Sequence, residues 1–470
     1  MSEIWTVLTV VEALWVAGLS AWIVLERRSP VATLAWILAL AWLPAVGILI
    51  YYFIGPRRLQ RRRMRRAASQ KMVETALTAI EDETDDPART ELARLIVGAG
   101  EAAPLRAERV ELLGEGKDCF EAMLRAIADA KHHVHLTYYI WYPDRIGARF
   151  RDALIAKAKE GVEVRLLLDW IGAYPTTQKF LAPLEAAGGK VAWFNPVSLT
   201  RLRPRYTNFR THRKIVVCDG DVGFVGGMNV SEEQTTEFHG DRAWRDAHLR
   251  IDGSAVRALA RVFVEDWHYA TGEVPNGPAY LKRASARGDE LVQIVASGPD
   301  ADVYAIHKAY FAAIATAHRR VLITTPYFVP DEPIVSALVT AAMRGVDVQV
   351  MVPASGDSML VDLAARSYFP ELVSAGVKIY EYLPRFVHSK TMVVDDDLAI
   401  VGSANMDNRS FRLNFEICAV VYGAAFTAKL AAVFEDDRSE CREVKPKQIR
   451  NERLVQRLGE ATARLFSPML

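Results

Sequence analysis

His388-Ser-Lys390-Thr-Met-Val-Val-Asp395-Asp-Asp-Leu-Ala-Ile-Val-Gly402-Ser403-Ala-Asn405 has a near-copy upstream, His212-Arg-Lys214-Ile-Val-Val-Cys-Asp219-Gly-Asp-Val-Gly-Phe-Val-Gly226-Gly227-Met-Asn229. Both read His-x-Lys-x4-Asp-x6-Gly-(Gly/Ser)-x-Asn, so six chemically demanding residues recur at identical offsets. Chance spacing rarely produces that in a chain of 470 residues. The pair predicts a chain built by doubling one half.

Side chains alternate along a strand, so His212 and Lys214 share a face while Asp219, an odd number of positions away, does not. His388, Lys390 and Asp395 repeat that parity. Each Asp also opens a turn, Asp219-Gly-Asp221 or Asp395-Asp-Asp397, before a second apolar run. A hairpin folded there returns Gly226-Gly227-Met-Asn229 beside His212 and Lys214, and Gly402-Ser403-Ala-Asn405 beside His388 and Lys390. The catalytic motif is therefore His212, Lys214 and Asp219 with His388, Lys390 and Asp395, within which the two Asp are expected to support the turns rather than touch substrate.

Such a cluster suits a phosphate. Lysine supplies a compact charge, the Asn229 and Asn405 amides and backbone N–H groups supply donors, and Gly227 and Ser403 complete the expected phosphate-binding set. One lysine about 4 Å from an anion gains on the order of 4 kcal/mol at an effective dielectric of 20. General acid catalysis adds roughly 10²–10⁴ in rate, so neither effect suffices alone and the motif combines them. One histidine can attack phosphorus while the other protonates the leaving alcohol. Neither half has both roles, so the halves are predicted to face each other across one shared site. Asp246, downstream of His212, and Glu416, downstream of His388, each precede a strand and are expected to hold the far ring nitrogen of the histidine in their own half.

Outward from the motifs the same order of elements appears twice. Helix Phe120–Ala130, strand Val134–Trp141, helix Phe150–Lys159 and strand Val162–Asp169 are matched by helix Val303–His318, strand Val321–Asp331, helix Ile334–Met343 and strand Val346–Val352. Gly161 and Gly345 sit at the same helix-to-strand turn, as C-caps. The fold class is α/β, with two mixed sheets flanked by helices, divided at 106–285 and 286–470.

Ahead of these lies a different composition. Residues 4–25 are apolar apart from Glu12, and 31–54 carry no charge, each run long enough at about 1.5 Å per residue to span a ~30 Å hydrocarbon layer. Seven arginines between Pro56 and Arg66 are expected to stay on the cytoplasmic side and hold anionic headgroups. Met-Ser-Glu-Ile lacks the basic start of a cleaved signal, and a second apolar run follows at once. Residues 56–105 then form a basic juxtamembrane segment and polar helical linker with an acidic run at 81–86. Arg201, Arg203 and Arg205, with Tyr206, Phe209 and Arg210, form either a lipid-steering lip or an ordinary solvated loop. Leu454, Leu458, Ala461 and Leu465 recur at helical spacing and are expected to pack into the core.

Charge is balanced, 58 basic residues against 57 acidic, so no bulk field argues for nucleic acid as partner. The four cysteines stand singly, which favours free thiols, and no metal-ligand spacing accompanies the histidines, so no metal or other cofactor is expected. His132, His133, His135, His239, His268, His307 and His318 read as structural.

With the doubled motif, Arg245-Asp-Ala-His-Leu-Arg-Ile251, Asp266-Trp267, and Asp407-Asn-Arg-Ser-Phe411 leading to Asn414-Phe-Glu416, the chain resembles the phospholipase D superfamily, and within it the bacterial cardiolipin synthases, over essentially its full length. The resemblance implies a phosphatidyltransferase of the bacterial inner membrane, multi-pass through a two-helix hairpin, with its catalytic domain cytoplasmic. One histidine would take a phosphatidyl group from phosphatidylglycerol, and a second phosphatidylglycerol would accept it to give cardiolipin and glycerol. By the same analogy His212 is the nucleophile and His388 the acid, then the base. Another donor or acceptor on the same machinery, a nuclease and a membrane-bound scaffold are the competing readings, and assembly as a homo-oligomer stays open.

Overall fold

The computed structural model describes residues 91–197, 208–275, 288–301, 303–450 and 453–470, together with isolated positions between 10 and 38 that are helical. The chain divides into two units, Met1–Arg61 with Val197–Tyr206, and Arg62–Pro196 with Thr207–Leu470. The predicted spans as continuous segments, the arginine cluster, the acidic run and Arg201 to Tyr206 lie outside the described residues, within which no helix is long and apolar enough to cross a membrane.

The second unit holds two large sheets. The first runs β2 (Arg109–Leu113), β8 (His248–Asp252), β7 (Val222–Gly226), β6 (Ile215–Cys218), β3 (His133–Tyr138), β4 (Glu163–Asp169) and β5 (Lys190–Phe194). The second repeats that order as β9 (Glu290–Ser297), β17 (Glu416–Tyr422), β15 (Leu398–Gly402), β14 (Thr391–Val394), β10 (Arg320–Thr324), β12 (Asp347–Pro353) and β13 (Lys378–Tyr382). Directions match as well: β3, β4 and β5 are parallel, as are β10, β12 and β13, while the remaining pairs in each series are antiparallel. Among the parallel strands β4, β10 and β12 are rich in Val, Ile and Leu and almost wholly buried, as strands covered on both faces are.

The helices between these strands begin where the sequence supplies a cap. Asp144 accepts from the Gly147 amide at 2.8 Å to start Arg145–Lys159, and Asp331 accepts from Ile334 at 3.3 Å to start Glu332–Met343, whose first turn carries Pro333. Gly161 and Gly345 end the two helices at φ 88° and 90°, the left-handed conformation that a Cβ disfavours.

Between the sheets lies a common core. Ile215, Val217 and Leu249 from the first meet Val401, Ala419 and Val421 from the second, and helices Val256–Thr271 and Ala424–Ser439 close its edges. Each such aliphatic side chain gains about 1.5–3 kcal/mol on burial. Neither sheet could stand alone without exposing that face.

Four expectations change. The strand expected over Val321–Asp331 breaks after Thr324 and resumes as β11 (Phe328–Val329), which pairs with β16 (Met406–Asp407), because Pro326 has no N–H for the ladder. Trp141 lies past the end of β3 and makes only an isolated bridge to Val230. Helix Glu91–Gly98 buries Leu92 and Ile96 in the core of the second half, and β1 (Leu105–Ala107) adds to the edge of β9, so part of the expected linker belongs to the second sheet. β18 (Cys441–Glu443) caps the opposite edge. Finally, helix Leu454–Arg464 forms, but Leu454, Leu458, Ala461 and Leu465 are exposed, and Glu460 and Ala463 face inward instead.

Candidate active site

The two motifs meet through crossed backbone bridges. Thr211 pairs in parallel with Phe415, and Val387 pairs in parallel with Arg245. The His212 amide donates to the Phe415 carbonyl at 2.8 Å, and the His388 amide donates to the Arg245 carbonyl at 2.7 Å. Each histidine is thus anchored by the segment that carries the carboxylate of the other half.

That crossing decides the side-chain pairing. His212 Nδ1 lies 3.0 Å from Glu416 Oε2, and His388 Nδ1 lies 2.6 Å from Asp246 Oδ2. The expected residues are brought together but with exchanged partners: the pairs form between halves, not within them. Within one half the hairpin separates the histidine from its own carboxylate, whereas the bridge puts the foreign one alongside. In both pairs Nδ1 faces the carboxylate, so Nε2 is the ring nitrogen turned away from it.

Both histidines are buried. Burial is the main reason His212 is held below its ordinary pKa and His388 is pushed down to about 3, with a nearby lysine adding to each effect and the carboxylate opposing it. Lys214 and Lys390 are buried behind them and donate to the carbonyls of His212, at 2.6 Å, and His388. Burial brings Lys214 down to about 7 and Lys390 to about 8, opposed by Glu416 and Asp246. Burial raises both carboxylates, but His212 at Glu416 and His388 at Asp246 outweigh it and hold them below the usual range. With both lysines charged, two ammoniums balance two carboxylates. A phosphodiester adds one negative charge, which draws protons toward the lysines and one histidine.

The hairpin returns as expected. Ile215 stands opposite Val225 and Thr391 opposite Val401, and Asn229 and Asn405, just past the returning strands, are both buried. Asn229 Oδ1 accepts from the Ile140 amide at 3.3 Å, whereas Asn405 Oδ1 meets no protein donor among the described residues.

Gly227 and Ser403 differ from the phosphate-binding expectation. The Ser403 hydroxyl donates to Glu416 Oε2 at 2.5 Å and accepts from the Ile417 amide at 3.0 Å, so it is committed to the carboxylate. Asn414 donates to the other Glu416 oxygen at 3.1 Å. At Gly227 a Cβ would lie 2.1 Å from Asp246 Oδ1, so glycine makes room for the carboxylate that serves His388.

Asp219 and Asp395 lie at the turns, away from the histidines. Asp219 accepts from the amides of Lys131, His132 and His133 at 2.7–2.9 Å, and Asp395 accepts from those of His318, Arg319 and Arg320 at 2.7–3.2 Å. Both adopt positive φ, 56° and 51°. The third motif residue ties each hairpin to the start of β3 or β10.

Several neighbours escaped the sequence reading. Tyr139 meets His212 edge-on at 5.1 Å between centroids, and Trp244 lies 4.7 Å from His388 with Phe386 behind it. These rings restrict how the imidazoles can turn. Trp244 adjoins Arg245-Asp246, which was its one available signal. His248 Nδ1 accepts from the Met228 amide at 3.3 Å. Arg213, between the motif His and Lys, is buried: it clamps both Asp266 oxygens at 2.6 Å and reaches the carbonyls of Glu416 at 3.1 Å and Ser297 at 3.2 Å. Arg210, expected on an exposed lip, is instead buried, with Asp169 at 3.5 Å and the Asn195 carbonyl at 3.1 Å. Among the described residues no group of three or more His, Cys, Asp or Glu side chains is arranged to hold a metal ion.

A family profile described as "Cardiolipin synthase, PLD-like domain" matches residues 123–267 and 310–438, one stretch in each half, and one described as "Phospholipase_D-nuclease N-terminal" matches residues 13–56. The chain is 41% identical to Cardiolipin synthase 2 of Bacillus cereus over 95% of its own length and 88% of that protein's. It is 40% identical to a cardiolipin synthase of Geobacillus kaustophilus over 95% and 90%. Among solved structures, phosphatidylserine synthase of Haemophilus influenzae superposes with a TM-score of 0.61 at 17% identity, covering 81% of this chain and all of that one. That likeness concerns the fold.

Proposed function

The chain belongs to the cardiolipin synthase family with phospholipase D-like domains, and from that premise we propose that it makes cardiolipin and glycerol from two molecules of phosphatidylglycerol. The observation that carries this reading is the crossed pairing His212–Glu416 and His388–Asp246. On this reading two Nε2 atoms, two lysines and two asparagines face one phosphate, with one histidine available for each half of a double displacement.

In the first step His212 Nε2 attacks phosphorus, the bond to the glycerol oxygen breaks, and that oxygen takes the proton held on His388 Nε2. In the second, His388 Nε2 accepts the proton of an incoming glycerol hydroxyl, the oxygen attacks phosphorus, and the P–N bond breaks. Lys214, Lys390, Asn229 and Asn405 hold the phosphoryl oxygens. Glu416 and Asp246 keep Nδ1 protonated and stabilise whichever imidazole carries a second proton. Ser403 acts on this chemistry through Glu416, and Gly227 through the space it leaves for Asp246. The assignment of His212 as nucleophile rests on resemblance to the family.

We also propose that residues 4–25 and 31–54 form the membrane hairpin, on the strength of their apolar length and the profile match at 13–56, with the catalytic halves at the cytoplasmic face of a bacterial inner membrane. The halves divide near 286, with residues 91–107 attached to the second.

The test is the purified full chain in mixed micelles of phosphatidylglycerol. Glycerol release matched by cardiolipin is expected; release of phosphatidic acid alone would mark a hydrolase and overturn the transferase reading.

A further inference from the structure

The helix Leu454–Arg464 turns its apolar stripe to solvent. Leu454, Val455, Leu458 and Leu465 are 69, 81, 58 and 78% exposed. Helix Met359–Arg366, against which it packs, begins with Met359 at 80% exposed and Leu360. Single exposed leucines are ordinary, but a row of them on one helix marks a docking surface.

The charge around the row indicates what docks. Between Lys445 and Leu470 there are six basic residues against Glu452 and Glu460, and Glu460 is buried. Arg453 and Arg457 fall on one flank of the stripe, and neither pairs with a carboxylate among the described residues. An apolar stripe edged by arginines is the pattern of a helix lying in the headgroup layer of an anionic bilayer. A second copy of the same face would bring arginines against arginines.

This surface is fastened to the rim of the phosphate cluster. Tyr327 Oη donates at 2.7 Å to Asp357, two residues before Met359. The Arg409 amide donates at 2.8 Å to the Leu470 carbonyl, and Asn408 Nδ2 donates at 3.1 Å to the Ser467 carbonyl. Asn408 and Arg409 open the helix Asn408–Arg412, which follows Asn405 of the second motif.

We propose that this face is a lipid-docking surface that seats the site's rim on an anionic phospholipid bilayer, so that substrate enters from the headgroup layer. The proposal rests on the reading that the substrate is a phospholipid, and it adds where on the catalytic unit that phospholipid is met.

The test uses the full chain and the triple variant Leu454→Glu/Val455→Glu/Leu458→Glu, whose positions are already in water. On short-chain phosphatidylglycerol below its micelle threshold the two should release glycerol equally. On phosphatidylglycerol vesicles the variant should be slower by on the order of tenfold, because the apolar contact with the interface is lost. In parallel, a fluorophore on Val455→Cys, with the partly exposed Cys441 replaced by Ser, should shift to the blue on anionic vesicles and not on neutral ones.

Equal loss on both substrates, or none on vesicles, overturns the proposal. So does a change from dimer to monomer in light scattering with vesicle rates unchanged, which would give the face to a second copy. If the wild-type chain releases glycerol from neither form of lipid while the fluorophore still shifts, the functional reading fails and the docking face stands.

Discussion

At the scale of single residues the exchanged carboxylates have measurable consequences. Glu416→Gln keeps size and one hydrogen bond but cannot stabilise a charged His212. Single-turnover glycerol release should slow on the order of 10²-fold or more, within the range of a general acid–base contribution, and Asp246→Asn should slow the step that depends on His388. Equal single-turnover rates for wild type and Glu416→Gln would remove Glu416 from the mechanism. The lysines set the pH response. Burial brings Lys214 down to about 7 and Lys390 to about 8, so the free enzyme loses positive charge as pH rises through 7 and 8. kcat/KM should fall over that interval, whereas kcat should hold to higher pH because a bound phosphate restores the charge. Profiles from pH 6 to 9 check this, and an arginine at either position should shift the fall upward. Stability runs the other way: an unfolded lysine binds a proton near 10.4 and the folded one only near 7 or 8, so the unfolded state binds more protons in between and stability rises with pH across that window.

At the scale of elements the hairpin is the working unit. Asp219→Ala and Asp395→Ala each remove a carboxylate that accepts three backbone amides. Either should cost about 1.5–3 kcal/mol, seen as a lower melting temperature, with activity largely retained below the transition. Complete inactivation of well-folded protein would return Asp219 to the catalytic list. Gly227→Ser should do the reverse, leaving the melting point less affected than the activity, because the new side chain displaces Asp246 from His388. This hairpin was legible beforehand, since strand parity and the turn residues dictate how its two strands pair. The partner of each histidine was not. Asp246 follows His212 in the chain as Glu416 follows His388, and both the within-half and the crossed pairing satisfy that pattern. The bridges Thr211–Phe415 and Val387–Arg245, with the His212–Glu416 and His388–Asp246 contacts beside them, distinguish the two.

At the scale of the molecule two sheets of the same order share one core, and Arg213 fastens them. It pairs with Asp266 in its own half and reaches the Glu416 and Ser297 carbonyls of the other. Arg213→Met leaves Asp266 buried without that partner and should destabilise by about 3–5 kcal/mol, measurable by calorimetry; a change below 1 kcal/mol would mean the clamp carries little of the junction. The second half has Ser389 in that place, so the joint is one-sided. The doubling was readable from the two motifs, and the seven-strand repeat follows from it. The attachment of Glu91–Gly98 and β1 to the second sheet was not, because the spacing of Leu92, Ala93 and Ile96 makes one apolar helix face without saying what it packs against. Helical spacing in 454–465 gave the helix but not the direction of its stripe, since outward and inward apolar faces share one period.

The crossed pairs also constrain descent. A single-copy forebear with this geometry could complete a histidine–carboxylate pair only by lending its acid to a twin, so it had to work as a two-fold couple in which both sites were identical. Joining the copies in one chain released that constraint. Gly227 with Asp246 on one side, and Ser403 with Glu416 on the other, are differences that only a fused pair can accumulate, each side adjusting to a partner it alone serves.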